Sequence, residues 1–279
     1  MKILITGGNG FLGSRLIRRY EKCFRLYAPG RGRMDITDEE QVMREFHTFG
    51  PQAVIHCGAV SDTKACEVDR ERSFQINVKG SGNIAQACRS VGAKLIFCSS
   101  DQVYSDCEEQ YPHGEAKELV PTRTYARQKL EAERICAEIN PDTVSLRLSW
   151  MYDRNTDLAR EHGNLAASLL QHLAAGEKPS YPVFDYRSIT NVWEVVDNLE
   201  CALRLPAGVY NFGSENDKST YEVASAMARA LGAPEGAVLK DHESFAKRPR
   251  NLRMDISKIQ GYGIRFLTTT DGIEAAFKI

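Results

Sequence analysis

The chain alternates short apolar runs with longer stretches in which apolar residues recur at helical spacing. In its first half the runs are Lys2–Thr6, 53–57, 94–98 and 143–149; the amphipathic stretches are Phe11–Tyr20, 73–91 and 125–139. Short runs rich in Ile, Val and Leu read as strands buried on both faces, and a period near 3.6 reads as helix. Strand, helix, strand at this rhythm predicts βαβ units, hence an α/β fold with a doubly wound parallel sheet of Rossmann type. Beyond Trp150 the alternation loosens. Residues 153–163 are polar and read as a loop, and helices are expected over 165–175, 191–203 and 221–231. The sequence therefore divides into a main domain, 1–150, and a smaller C-terminal lobe, 151–279, partly interleaved with the main sheet.

The first turn carries chemistry. Thr6-Gly7-Gly8-Asn9-Gly10-Phe11-Leu12-Gly13 joins the first strand to the first helix, with Gly7, Gly10 and Gly13 at GxxGxxG spacing. Glycines let backbone approach a pyrophosphate closely, and the helix N-terminus offers free N–H groups and positive dipole. An ordinary glycine-rich turn is the plain alternative, but the position between strand and helix favours a dinucleotide site. About twenty residues on, an acid would hold the adenosine ribose of NAD. The segment 27–33 reads YAPGRGR and contains no carboxylate. Arg31 or Arg33 can instead pair with a 2′-phosphate, so NADP is expected ahead of NAD, unless this is only a solvated basic loop. Asp35-Ile36 is expected to end a third strand beside the adenine.

Composition narrows the setting. The 279 residues carry a net charge of −1, so no basic stripe invites nucleic acid or an anionic membrane surface. No apolar run approaches the roughly eighteen residues of a membrane span. Eight scattered cysteines without a CxxC pair read as free thiols, with no disulfide frame or metal site, and the expected compartment is the cytoplasm. Helical surfaces 83–91 and 126–139 are places where two copies can pair as a homodimer, or plain solvated faces.

The run 94–98 ends in Ser99, Ser100, Asp101 and Gln102, polar groups that gain nothing from burial. Parallel sheets bind ligands beyond the carboxyl ends of their strands, which accounts for a polar ending there. Tyr125 and Lys129 stand four apart on the next helix, so phenol and ammonium share one face. An unperturbed phenol titrates near pH 10; a neighbouring ammonium stabilises its phenolate and makes it a usable acid–base group. Alone, such a pair is commonly a surface contact. Its conjunction with the glycine loop and Ser100 gives it weight.

With these pieces in place the chain resembles, from end to end, the extended short-chain dehydrogenase/reductases, and most of all their dTDP-4-dehydrorhamnose reductase branch. The resemblance rests on Thr6 to Gly13, Asp35-Ile36-Thr37-Asp38, Ile55-His56-Cys57-Gly58-Ala59, Cys66-Glu67, Asn77-Val78 with Gly80 and Asn83, Ser100-Asp101 with Val103-Tyr104, Tyr125 with Lys129, Arg147-Leu148-Ser149-Trp150, and Arg248-Pro249. It implies that Gly7, Asn9, Gly10, Phe11, Leu12 and Gly13 hold the pyrophosphate and that Gly58 and Ala59 line the cofactor. It also implies that Lys129 binds the nicotinamide ribose and lowers the Tyr125 pKa. Tyr125 would then protonate a keto oxygen that Ser100 hydrogen-bonds, and Asn77 would support the helix nearby. Trp150 and Arg248 become candidates for sugar and diphosphate contacts, or else a core aromatic and an exposed cation.

Residue 102 separates reaction types. The nucleotide-sugar 4,6-dehydratases that the chain resembles here carry Asp-Glu after the hydroxyl residue, because elimination needs an acid and a base. Asp101 is kept, but Gln102 has no titrating group and cannot be that base. If its side chain faces the site, carbonyl reduction of a nucleotide-linked deoxysugar is favoured. Two stretches depart from the branch, 59–64 with Lys64 and 185–190 (DYRSIT), and both fall where the sugar is normally selected. A 4-epimerase with tightly bound NAD and a non-catalytic NADP-binding regulatory subunit are the competing readings.

Overall fold

The computed structural model describes residues 1–155 and 164–277. The expected loop 153–163 thus lies largely outside the described residues. In chain order the strands are β1 (Lys2–Thr6), β2 (Arg25–Tyr27), β3 (Ala53–His56), β4 (Lys94–Ser100), β5 (Thr143–Leu148), β6 (Trp150–Tyr152), β7 (Ser180–Pro182), β8 (Asp185–Arg187), β9 (Ile189–Asn191), β10 (Gly208–Phe212), β11 (Leu239–Asp241) and β12 (Arg250–Leu252). The helices are α1 (Phe11–Tyr20), α2 (Glu39–Phe49), α3 (Thr63–Val68), α4 (Arg70–Phe74), α5 (Ser81–Val91), α6 (Thr124–Ile139), α7 (Leu165–Ala174), α8 (Val192–Ala202), α9 (Thr220–Ala230), α10 (Ser257–Gln260) and α11 (Thr269–Phe277).

Six strands form the main sheet in the order β10-β5-β4-β3-β1-β2. The pairs β1·β2, β1·β3 and β3·β4 run parallel. The order reverses between β1 and β3, so the carboxyl ends of these two strands are the topological switch point, where a Rossmann sheet opens to ligands. Val54, Leu95 and Phe97 from the central strands meet Val42 and Phe46 of α2, Ile84 and Cys88 of α5, and Ala132 and Cys136 of α6 in one buried cluster. Such strands need apolar side chains on both faces, which is why β3 is buried at every residue.

The chain folds as two compact units: 1–103, 120–147 and 196–210 in the first; 104–119, 148–195 and 211–279 in the second. The sequence alone draws one boundary at 150. The 104–119 segment leaves for the second unit and 196–210 returns to the first, because a strand can join a sheet from any distance along the chain. In the second unit β6 pairs with β9, β8 with β12 and β7 with β11, all parallel. A separate apolar cluster gathers Tyr152, Leu165, Leu169, Val223, Met227 and Phe277 there.

Local differences have local causes. Asp35-Ile36 lies in a turn, not at a strand end: the Asp35 carboxylate takes the Thr37 N–H at 2.9 Å and hydroxyl at 2.7 Å, and such an Asx turn bends the backbone. Three residues later Asp38 caps α2 by accepting the Gln41 N–H. The stretch 73–91 is not one helix. It runs from α4 through a π-helical turn, Gln75–Gly80, into α5. Helix α6 stops at Asn140 because Pro141 follows.

Helix α6 is tied to the sheet by a buried ion pair. Arg147 on β5 donates from Nε and Nη2 to Glu133 at 3.0 and 2.8 Å, and Ser99 on β4 donates to the same carboxylate at 2.5 Å. Both charged side chains are 4% exposed. Removing one partner strands a buried charge, so Arg147→Met is expected to lose about 3–5 kcal/mol of stability, read from urea denaturation. The double variant with Glu133→Leu should recover much of that loss.

Candidate active site

The cofactor cradle can be tested atom by atom. Gly7 has φ +67°, and a Cβ there would stand 2.9 Å from both the Cys57 carbonyl carbon and the Gly58 nitrogen. A Cβ on Gly13 would sit 2.3 Å from the Gly7 carbonyl oxygen. The loop therefore closes onto the ends of β1 and β3 only because it lacks side chains. Gly10 is the N-cap of α1 and supplies no side-chain cap, which leaves the first-turn N–H groups of Phe11, Leu12 and Gly13 for an anion. Gly7, Asn9 and Gly10 are exposed; Gly58 and Ala59 are half-buried just past β3. Such a cradle, at a helix N-terminus and the switch point of the sheet, fits a dinucleotide pyrophosphate.

The two arginines offered for a 2′-phosphate are unequal. Arg33 is committed to Glu45, with Nε 3.1 Å from the carboxylate, and lies over the Tyr27 ring. Arg31 is 65% exposed and, among the described residues, meets only Asp35, at 3.8 Å. Ile36 packs where a Cβ on Gly80 would intrude at 2.8 Å, and its carbonyl accepts from Asn83 at 2.9 Å. Gly80 and Asn83 thus hold the 35–36 turn in place.

Behind the cradle runs a buried polar chain. The Gly58 N–H donates to Thr6 Oγ1 at 3.0 Å, Thr6 Oγ1 meets His56 Nδ1 at 2.6 Å, and His56 Nε2 meets Ser81 Oγ at 3.0 Å. Burial, with the charge of Lys129, pulls the His56 pKa down to about 3. In the π-helical turn, Asn77 accepts the Val60 N–H at 2.8 Å and donates to the Val60 carbonyl at 3.1 Å and to Gln128 at 2.9 Å. One side chain therefore clamps the backbone after β3 and the residue beside Lys129. This is a widened turn used to aim a side chain.

Ser100, Tyr125 and Lys129 come together in the first unit. Ser100 ends β4 and donates to Asp101 at 3.2 Å. Tyr125 is 8% exposed. Burial raises its pKa well above the ordinary phenol value, and the Ser100 hydroxyl hydrogen-bonded to it acts in the opposite sense. Lys129 is 4% exposed; its amine donates to the Cys98 carbonyl at 2.8 Å and lies 4.8 Å from the Phe97 ring and 5.9 Å from the Tyr125 ring centroid. Among the described residues that carbonyl is its one hydrogen-bond acceptor, and burial lowers its pKa. An ammonium has three protons to donate. Burial therefore dominates at Tyr125, and two lysine donors are left for a ligand hydroxyl.

Asp101 and Gln102 begin a buried 3₁₀ turn, and the Gln102 amide approaches the Asp101 carboxylate at 3.5 Å. Gln102 thus faces Asp101 instead of pointing away. Glu67, whose part the sequence alone left undefined, accepts the Thr124 N–H at 2.7 Å and hydroxyl at 2.8 Å. It supplies the cap that Arg123 lacks at the start of α6, one residue before Tyr125. In the second unit, Trp150 lies beneath the Arg187 guanidinium at 4.6 Å. Arg248 is engaged by Asp106 and Glu108, at 3.7 and 3.2 Å. Cys107, Glu109 and His113 there bring ligand-type atoms within 4.8 Å of one another, but the Lys117 ammonium already pairs with Glu109 and neutralises the group.

Residues 1–278 match the family described as RmlD substrate binding domain. The chain belongs to that family. Among its relatives, methionine adenosyltransferase 2 subunit beta of Rattus norvegicus is 26% identical over 280 residues, covering 94% of this chain and 83% of that protein. The dTDP-4-dehydrorhamnose reductase of Aggregatibacter actinomycetemcomitans is 25% identical over 291 residues, covering 95% and 94%. The crystal structure of dTDP-4-dehydrorhamnose reductase from Bacillus anthracis in complex with NADP superposes with a TM-score of 0.88 at 24% identity, covering 99% of this chain and 97% of that one. That likeness establishes the shared fold. No described helix is long and apolar enough to cross a membrane.

The His56 chain has a pH signature. Its imidazole stays neutral in the fold down to about pH 3, whereas the unfolded chain takes up the proton below about pH 6.5. The unfolded state binds more protons in that window, so stability falls as pH drops through it. At pH 5 the loss from this group is about 2 kcal/mol. Urea midpoints measured at pH 7 and pH 5 should separate more in the wild type than in His56→Gln.

Proposed function

We propose that this protein is an NADPH-dependent reductase of the 4-keto group of a nucleotide-linked deoxysugar. The observation that carries the reading is the buried grouping of Ser100, Tyr125 and Lys129 in the unit that also holds the glycine cradle. The cofactor, when bound, supplies hydride to the carbonyl carbon. Tyr125 would give its proton to the keto oxygen, with Ser100 as the second hydrogen-bond donor to that oxygen. Lys129 would donate to the nicotinamide ribose with its free protons, and its charge there would ease ionisation of the phenol. Asn77 holds α6 and the segment after β3 in register while this happens. Asp101 and Gln102 would meet the sugar, and Trp150 and Arg248 would contact sugar and diphosphate once Arg248 exchanges its carboxylate partners for the ligand.

Family membership and relatives named dTDP-4-dehydrorhamnose reductase support this substrate class. Gln102 supports reduction over elimination, because an amide beside Asp101 leaves no second carboxylate to act as base. The exposed, weakly held Arg31 supports NADP over NAD. Eight free thiols suit a reducing compartment such as the cytoplasm.

A second reading has its own support. Methionine adenosyltransferase 2 subunit beta aligns with 94% of this chain, so a nucleotide-holding subunit without turnover is the alternative. Activity separates the two. A panel of nucleotide-linked 4-keto-6-deoxy sugars should drive NADPH oxidation by the wild type, and Tyr125→Phe should lower kcat about 10²–10⁴-fold with NADPH affinity kept. Absence of turnover across the panel, or 4-epimerisation without net NADPH oxidation, contradicts the proposal. In a separate measurement, Arg31→Ala should weaken NADPH about tenfold or more while leaving NADH binding almost unchanged. An equal effect on both contradicts the 2′-phosphate assignment.

A further inference from the structure

Two thiols face each other at the switch point of the sheet. The register of β3 against β4 sets His56 beside Phe97, so the next pair along is Cys57 and Cys98. Their sulfurs lie 3.6 Å apart. Cys98 is buried and Cys57 is half-buried. Neighbouring strands run about 4.8 Å apart, inside the Cα separation of roughly 4.4–6.8 Å that a disulfide bridges. Cys57 sits one residue past the end of β3. Two small side chains filling a core is the ordinary meaning of such a contact. What sets this pair apart is where its backbone leads. The Cys98 carbonyl is the acceptor for Lys129. The Cys57 carbonyl carbon occupies the space next to Gly7 that a side chain there would need. Cys57 and Cys98 therefore touch both halves of the site.

We propose that Cys57 and Cys98 form a reversible disulfide when the protein meets a peroxide, and that this bond loosens both the cofactor cradle and the seat of Lys129. One sulfur, as thiolate, attacks a peroxide oxygen; the O–O bond breaks and leaves a sulfenic acid and an alcohol or water. The second sulfur attacks the sulfenic sulfur and displaces water. The two sulfurs together lose two electrons, and the peroxide oxygens gain them. Within the pair the hydrogen bond from Cys57, and after it the Lys129 charge, favour the thiolate at Cys98.

The bond itself does not depend on the proposed reductase activity; only its consequence for turnover does. The full-length protein, treated with hydrogen peroxide, alkylated and digested, should yield a linked peptide pair carrying Cys57 and Cys98 with the loss of two hydrogens, cleaved again by dithiothreitol. NADPH binding followed by fluorescence should weaken on oxidation and return on reduction. In Cys57→Ala, and separately in Cys98→Ala, the linked pair should be missing and peroxide should leave NADPH binding at its untreated level. The proposal is overturned by sulfinic acid at Cys57 without any linkage, or by linkage confined to Cys23, Cys107 or Cys201. A Cys57–Cys98 bond that leaves NADPH binding unaltered overturns its coupling to the cradle. Because mass reads the bond and fluorescence reads the cofactor, neither result is confused with failure to reduce a sugar.

Discussion

A lysine ammonium shut away from water, with one carbonyl to receive its protons, is the constraint around which the first unit is organised. An isolated buried cation is heavily penalised unless partners replace its hydration shell. For Lys129 the fold supplies the Cys98 carbonyl and two aromatic faces, which offset that penalty only in part. The surroundings hold the lysine there nonetheless. Gln128, its neighbour, is gripped by Asn77 and Ser73. Four residues further along α6, Glu133 is locked by Arg147 and Ser99. The helix cannot turn to release the amine without breaking both sets of bonds. A hydroxylated ligand arriving at the amine would relieve this unmet demand.

The same arrangement explains why a buried phenol is tolerable. Tyr125 by itself is a weaker acid than free tyrosine because burial disfavours the phenolate. In the proposed role of general acid, a phenol held neutral until its partner cation is fully engaged does no chemistry on its own. Ser100 prepares the position by hydrogen bonding, and Glu67 fixes the first turn of α6 from outside. Each is a short-range contact, which ties the reactivity of the site to the seating of one helix.

How much of this was legible in the residue order follows from range. The glycine cradle and the i, i+4 pair are local patterns, so sequence was enough to find them. Strand β4 was legible to Cys98, and its polar extension through Ser100 made sense only once the sheet was seen to end at a ligand site. Helix α2 escaped the apolar pattern, although Asp38 and the left-handed Gly50 mark its two ends. Strand β2 is three residues long and little buried, too short for periodicity to register. The partners of Asn77 and Arg147, and the pairing of Cys57 with Cys98, are contacts between residues 14 to 51 positions apart, set by the tertiary fold. In the second unit, Asp185 opens one of the stretches that depart from the branch, and it is held by two bonds from Arg250 at 2.8 and 2.9 Å. Part of the departure is therefore internal scaffolding, not ligand recognition.

The central claim is that Lys129 makes Tyr125 acidic only when a cofactor ribose completes the lysine's hydrogen bonding. Its most direct test is the ionisation of Tyr125 itself, followed by NMR of protein carrying ring-labelled tyrosine, assigned with Tyr125→Phe and titrated with and without NADPH. The account predicts a phenol that ionises above the ordinary tyrosine range in the free protein and well below it with cofactor bound, a drop that Lys129→Met abolishes. A Tyr125 pKa that does not move on binding, or that falls equally without the lysine, would contradict it.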